Sequence, residues 1–224
     1  MTVKILVFNG SNRAGSYSGK VANAALAELA RQGVEATRIQ LSDYPLPIMD
    51  EDLEAEKGIP ENAYRLARLM AAHDGFFIAT PEYNGSIPPL LKNVIDWVSR
   101  ISRDGDRPLK AYANKAVALG SSSNGHFAGV RAIIHLRAVL SHVGLQVVSE
   151  QVSVPKAQEA FDSMDRFVDD KVRQNLERAI RSLSEIGDKT AVAGLSALLS
   201  DNNSIVREAA AEALGLLNGK DALL

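Results

Sequence analysis

Val3–Phe8, Gly75–Thr80 (GFFIAT) and Lys115–Gly120 (KAVALG) are short, nearly unbroken apolar runs. Each is followed by a loop rich in glycine, serine or proline and then by a segment of helical period. A strand with one wet face alternates apolar and polar residues. An unbroken run belongs to a strand covered on both faces, as in a parallel sheet whose crossovers are helices. Segments of helical period occupy Ser18–Arg31, Glu61–His73, Leu90–Ile101 and Phe127–Val143, and two further strand-like runs span Val34–Leu41 and Leu145–Val154. Pro45–Pro60, rich in Pro, Asp and Glu, reads as a long loop. Strands alternating with helices in this way predict a doubly wound α/β domain with right-handed crossovers. In such sheets ligands lie beyond the carboxyl ends of the strands. The loops that follow the strands are therefore where function is to be sought.

After the first strand comes GSNRAGSYS, Gly10–Ser18, leading directly into a helix. A helix start offers unpaired N–H groups and partial positive charge. With the Ser11, Ser16 and Ser18 hydroxyls and the Arg13 guanidinium it forms a cradle for one terminal phosphate. The residues alone leave open an ordinary capped Ser/Gly turn, and the loop matches neither GxGxxG nor GK[ST]. After the third strand, TPEYNGSIPPLLKNVIDW (Thr80–Trp97) brings Glu82, Tyr83 and Asn84 to the crevice, and Gly85 permits close backbone approach to a planar ligand. After the fourth, GSSSNGHFAGVRAIIHLR (Gly120–Arg137) is a second Ser/Gly loop opening a second helix. His126 and His135 are lone histidines with no evident catalytic partner, and His73 and His142, near helix ends, read as structural. Each loop is a weak signal alone; together, on one sheet edge, they are a strong one.

Composition removes competing classes. There is no cysteine, which excludes disulfides, thiol catalysis and cysteine-ligated metals. A net charge of −2 gives no basic excess for nucleic acid. No apolar run approaches the ~20 residues needed to span a bilayer. MTVKILVFNG carries no basic region or small-residue cleavage site of a signal peptide, so a cytoplasmic protein is expected.

The motifs GSNRAGSYS, PEYNGSIPPLLKNVIDW and SSSNGHFAGVRAIIHLRAVL resemble those of the NADPH-dependent FMN reductase family, the flavodoxin-like group of quinone, azo and chromate reductases. The resemblance covers about residues 2–184. It departs from the family pattern at Ser18, where Asn is frequent, and at Ala128, where the first Gly of a pair is frequent. The resemblance implies a five-stranded parallel sheet of order 2-1-3-4-5. It implies FMN as cofactor, with NADPH or NADH as co-substrate. Ser11, Arg13, Ser16 and Ser18 would bind the FMN phosphate. Pro81, Glu82, Tyr83, Asn84 and Gly85 would line the isoalloxazine, and Ser121, Ser122, Ser123 and Gly125 would hold its pyrimidine side. No catalytic side chain and no metal are implied, because the cofactor carries the hydride chemistry. The acceptor would be a small flavin, quinone, azo compound or metal oxyanion. A homodimer or tetramer is also implied, with Trp97, Arg131 and His135 as candidate assembly residues.

Beyond Ser184 the chain departs from that family. Residues 185–224 read as two short helices, one with Ala191, Val192, Leu195, Leu198 and Leu199 at helical spacing, the other capped by Ser204 and carrying Val206, Ala209, Ala210, Ala213, Leu214 and Leu217. The segment resembles one HEAT-like repeat of the bilin-lyase type. The expected division is thus 1–184, a flavodoxin-like reductase domain, and 185–224, a HEAT-like helical hairpin. The alternative to an enzyme is an FMN-holding electron-transfer or binding module recruited to a protein partner through that tail.

Overall fold

The computed structural model describes residues 3–187, 199–200 and 202–216. Its elements are β1 (Lys4–Asn9), α1 (Tyr17–Arg31), β2 (Glu35–Arg38), α2 (Glu51–Lys57), α3 (Glu61–Ala71), β3 (Gly75–Pro81) and α4 (Pro89–Ser99). A two-residue pair, β4 (Arg103–Asp104) and β5 (Arg107–Pro108), precedes β6 (Ala116–Ser122). Then come α5 (Val130–His142), β7 (Gln146–Val154), α6 (Asp170–Gly187) and α7 (Ser204–Leu216). The main sheet has five strands in the order β2-β1-β3-β6-β7, all pairs parallel. Counting only these strands, the order is the expected 2-1-3-4-5.

The unbroken apolar runs are explained by two cores, one on each sheet face. Successive strand side chains point to opposite faces. Leu6, Phe8, Phe76, Ile78, Val117 and Leu119 face α3, α4 and α5, while Ile5, Val7, Phe77, Ala79, Ala116 and Ala118 face α1 and α6. The apolar face of α6, with Leu176, Ala179, Ile180 and Leu183 all buried, lies in the second core.

Four expectations need correction. The segment Pro45–Pro60 contains α2, which buries no side chain and so leaves no apolar period to read. It forms because Asp50 caps it, accepting from the N–H groups of Asp52 (2.8 Å) and Leu53 (3.0 Å), and because Glu51, Asp52 and Glu54 suit the positive end of the helix dipole. The helix read from Phe127 starts at Val130, because Ala128 (φ 55°) and Gly129 (φ 78°) are left-handed. Trp97 is fully buried within its own chain, its indole N–H donating to the Pro47 carbonyl (2.8 Å), and Ile95, Val98 and Ile101 are buried beside it. It is therefore a core residue, one of the two readings (core or interface) that its helical spacing from Val94 leaves open, rather than the assembly contact that the family resemblance suggests. In the tail, α7 is capped by Asn203, whose side-chain oxygen accepts from the Ile205 N–H (2.9 Å), and Ser204 is its first residue. Of the preceding expected helix, Leu199 lies in a turn and residues 191–198 fall outside the described residues, as does 217–224.

Candidate functional site

The site is built where β1, β3 and β6 end side by side. Gly10 leaves β1 with its N–H on the Ala79 carbonyl (2.9 Å), and a Cβ there would stand 3.0 Å from Pro88 Cγ. The first loop is organised by its own hydroxyls and by Asn9. Ser11 Oγ accepts from the Arg13 N–H (3.3 Å), and Ser16 caps α1 by accepting from the Gly19 N–H (3.1 Å). Asn9 donates to the Ser11 carbonyl (2.9 Å) and closes on Ser16 Oγ (3.5 Å). The first-turn N–H groups of α1 have no intrahelical acceptor. Ser18 is nearly fully buried, yet its hydroxyl has no partner. Arg13 is exposed, with its guanidinium carbon 5.5 Å from the centre of the Tyr17 ring.

After β3 the chain turns back at once. Tyr83 and Ser86 exchange both backbone hydrogen bonds (2.9 and 3.0 Å), and Asn84 (φ 51°) and Gly85 (φ 80°) form the two-residue tip. Both positive φ values give the type I′ geometry that Asn-Gly favours. Glu82 is tied down across the gap by Arg131 of α5, whose Nε (2.9 Å) and Nη2 both donate to Glu82 Oε1. The other carboxylate oxygen is buried without a partner. Ser86 Oγ meets His135 Nδ1 at 2.9 Å. Arg131 and His135 thus brace this turn from within the same chain. His73 Nδ1 lies 2.7 Å from the Leu69 carbonyl, a structural contact.

After β6, Ser121 is fully buried; its hydroxyl donates to the Ala128 carbonyl (2.6 Å) and lies 3.1 Å from Ser153 Oγ. Ser123 Oγ accepts from the Gly125 N–H (3.1 Å), while the Ser123 N–H donates to Val154 (3.1 Å). These bonds fold the third loop over the strand end.

The three loops enclose an open cleft of about 400 Å³. It brings together Ser11, Arg13, Ser16 and Ser18, then Pro81, Glu82 and Tyr83, then Ser122 and Ser123. Asn84, Gly85, Ser121 and Gly125 do not line it: the first two form the turn tip, Ser121 lies beneath the floor, and Gly125 is on the outer bend. Sequence reasoning missed Tyr17 and Asn124, which do line the cleft, and the Arg131 brace. Among the described residues no group of three or more His, Cys, Asp or Glu is placed to hold a metal ion. Hydroxyls, first-turn amides and an arginine at one end, and a shallow slot between two loops beside them, suit a flat ligand carrying an anion.

Residues 3–159 match the NADPH-dependent FMN reductase family, and residues 164–223 match HEAT repeats. An NAD(P)H-dependent FMN reductase of Pseudomonas aeruginosa is 34% identical, covering 81% of this chain and 93% of the relative. A quinone reductase of Escherichia coli is 36% identical over 66% of this chain and 74% of the relative. Among solved structures, the flavoenzyme NAD(P)H:(acceptor) oxidoreductase FerB of Paracoccus denitrificans superposes with a TM-score of 0.66 at 25% identity, covering 84% of this chain and 98% of that one.

Proposed function

From the chain's membership of the NADPH-dependent FMN reductase family, we propose that its three-loop cleft holds FMN and that it reduces small electron acceptors with NAD(P)H. Bound there, FMN supplies the hydride-accepting and hydride-donating chemistry, and the protein supplies binding and orientation. The observation that carries this reading is the buried Ser18 hydroxyl with no partner, at a helix start already furnished with Ser11, Ser16 and Arg13. A buried polar group without a partner is costly, and a phosphate oxygen at that point satisfies it. Pro81, Glu82 and Tyr83 flank the ring on one side, and Ser122 and Ser123 on the other. Arg131 fixes Glu82 and so sets the wall of the slot. Asn84, Gly85, Ser121 and Gly125 act by shaping the backbone around the ring rather than by touching it. The open slot excludes few acceptors by shape, which suits flavins, quinones, azo compounds and metal oxyanions alike.

Anaerobic addition of NADPH or NADH to the flavin-loaded protein should bleach it, and an acceptor should restore the colour. Arg13→Ala removes a charge-assisted contact worth about 1.5–3 kcal/mol, so FMN affinity should fall roughly 10- to 150-fold. Unchanged affinity would remove the phosphate from this loop.

Division at residue 184, a homodimer or tetramer, a cytoplasmic location and a protein partner for the tail belong to the same proposal. Phe127 (69% exposed) and Ile134 (59% exposed) flank Arg131 in sequence and favour assembly beside the cleft. NAD(P)H as reductant favours the cytoplasm. Light scattering that gives a 24.1 kDa particle at micromolar concentration would overturn the oligomer.

A further inference from the structure

A second cavity, of about 370 Å³, adjoins the cleft on the β2 side and shares Ser11, Arg13 and Ser16 with it. At ~30 Å³ per water it has room for on the order of a dozen waters, far more than one phosphate group needs. Arg38, the last residue of β2, lines it. Its guanidinium donates to Asn9 Oδ1 and to the Ile39 carbonyl, while its Nε is buried without a partner. No carboxylate pairs with it among the described residues, and burial alone pushes its pKa down. A partly buried cation without a counter-charge is costly, and an anion in the cavity would offset that cost. The rest of the lining is mixed. Lys20 is paired with Asp165 (2.6 Å), and Asn23 and Gln40 add two amides. A bare phosphate can use the cations, hydroxyls and amide N–H groups but not the Asp165 carboxylate. A nucleotide uses all of these groups, since sugar hydroxyls donate to a carboxylate and sugar and base also exchange hydrogen bonds with amides.

We propose that this cavity takes the adenylate half of a dinucleotide flavin, so that the chain binds FAD as well as FMN. The flavin phosphate stays at the first loop, the second phosphate lies toward Arg13 and Arg38, and the adenosine sugar lies toward Asp165 and Gln40. The inference rests on the placement of the flavin phosphate given under the proposed function.

The test is to strip the purified full chain of flavin and titrate FMN and FAD against wild type, Arg38→Gln and Gln40→Glu, reading the quenching of flavin fluorescence. Wild type should bind FAD within about thirtyfold of FMN, and weaker FAD binding overturns the proposal. Arg38→Gln removes charge-assisted bonds to the second phosphate and should shift the FAD-to-FMN preference at least about fivefold toward FMN. An equal loss for both flavins would mean that Arg38 acts only through Asn9 on the first loop, and would overturn the proposal. Should Arg38→Gln fail to fold, Gln40→Glu, a change at an exposed side chain, decides instead: its carboxylate accepts from the adenosine sugar hydroxyls and should shift the preference toward FAD, and an unchanged or FMN-shifted ratio overturns the proposal. If FAD fails while FMN binds, the inference falls and the proposed function stands. If neither binds, both fall.

Discussion

Ala128 carries a β-carbon in a left-handed conformation, φ 55°, held there because its carbonyl accepts from the buried Ser121 hydroxyl (2.6 Å). An L-residue at such an angle costs roughly 1–2 kcal/mol, and glycine there avoids most of it. Glycine also gains freedom in the unfolded chain, which opposes the benefit by about 0.4–1 kcal/mol. Ala128→Gly should therefore stabilise by up to about 1 kcal/mol, read as a higher urea midpoint at unchanged slope. A lower midpoint would show that the angle is relaxed. The sequence marks this position, since the family pattern has glycine where this chain has alanine. It also marks Ser11, Arg13, Ser16 and Ser18, which lie in one short loop and need no tertiary information to be grouped. Arg38 is different. It contacts Asn9, 29 residues away, only because β2 lies beside β1 in the sheet. Glu82 and Arg131 are likewise joined across 49 residues by the packing of α5. Pairings of that kind are invisible until the topology is known. Ser121 shows the opposite failure: it sits within a run of serines that points to the cleft, but the strand's alternation turns its side chain under the floor.

At the scale of elements, helix starts and strand ends are held together by a few close approaches. Gly120 on β6 is one of them. A Cβ there would meet Val21 of α1 at 2.8 Å, Phe77 of β3 at 3.0 Å and Val152 of β7 at 3.2 Å. Val21 would have to shift, and Phe77 and Val152 to give by a few tenths of an ångström. Overpacking of this sort typically costs 1–3 kcal/mol. At roughly 2–4 °C per kcal/mol for a protein of this size, Gly120→Ala should lower the melting temperature by about 2–12 °C. It should also weaken FMN binding, because α1 carries the first loop at its amino end and is the helix displaced. A lowered melting temperature with intact flavin affinity would mean that β7, rather than α1, gives way. Strands β1, β3 and β6 and helices α1, α3, α4 and α5 were legible because each buries a periodic or unbroken apolar set. The helix α2 was not, because only Leu53 packs, half-buried, against the core, which leaves no apolar period, and its cap and first-turn charges specify it instead. The β4–β5 pair, with two residues in each strand, is too short for any period to register.

For the whole molecule the question is how the two sequence matches divide one chain. The HEAT match begins at residue 164 and so takes in α6, yet α6 belongs physically to the sheet domain. Its apolar face packs against β6, β7 and α1, and Ala179, Ile180 and Leu183 are fully buried there. A helix-pair repeat needs that same face for its partner helix. A single α6 stripe cannot cover both the sheet and a repeat. Ile205 on α7 is 72% exposed, which fits a segment that does not draw its stability from the sheet domain. Ending the chain after Gly187 should therefore leave the melting temperature within about 2 °C of the full chain, since the apolar face of α6 is already covered by the sheet domain. It should also leave FMN content and NADPH oxidation per bound flavin unchanged, because every residue lining the cleft precedes residue 125. The magnitudes separate the alternatives cleanly. If the tail did bury a few hundred Å² of apolar surface on the sheet domain, at ~25 cal/mol per Å² it would contribute several kcal/mol before ordering costs. Its removal would then lower the melting temperature by on the order of 10 °C. A drop of that size would show that α6 serves both partners. An unchanged melting temperature with a smaller particle in light scattering would assign the tail to assembly or to partner binding, outside the reductase's own stability.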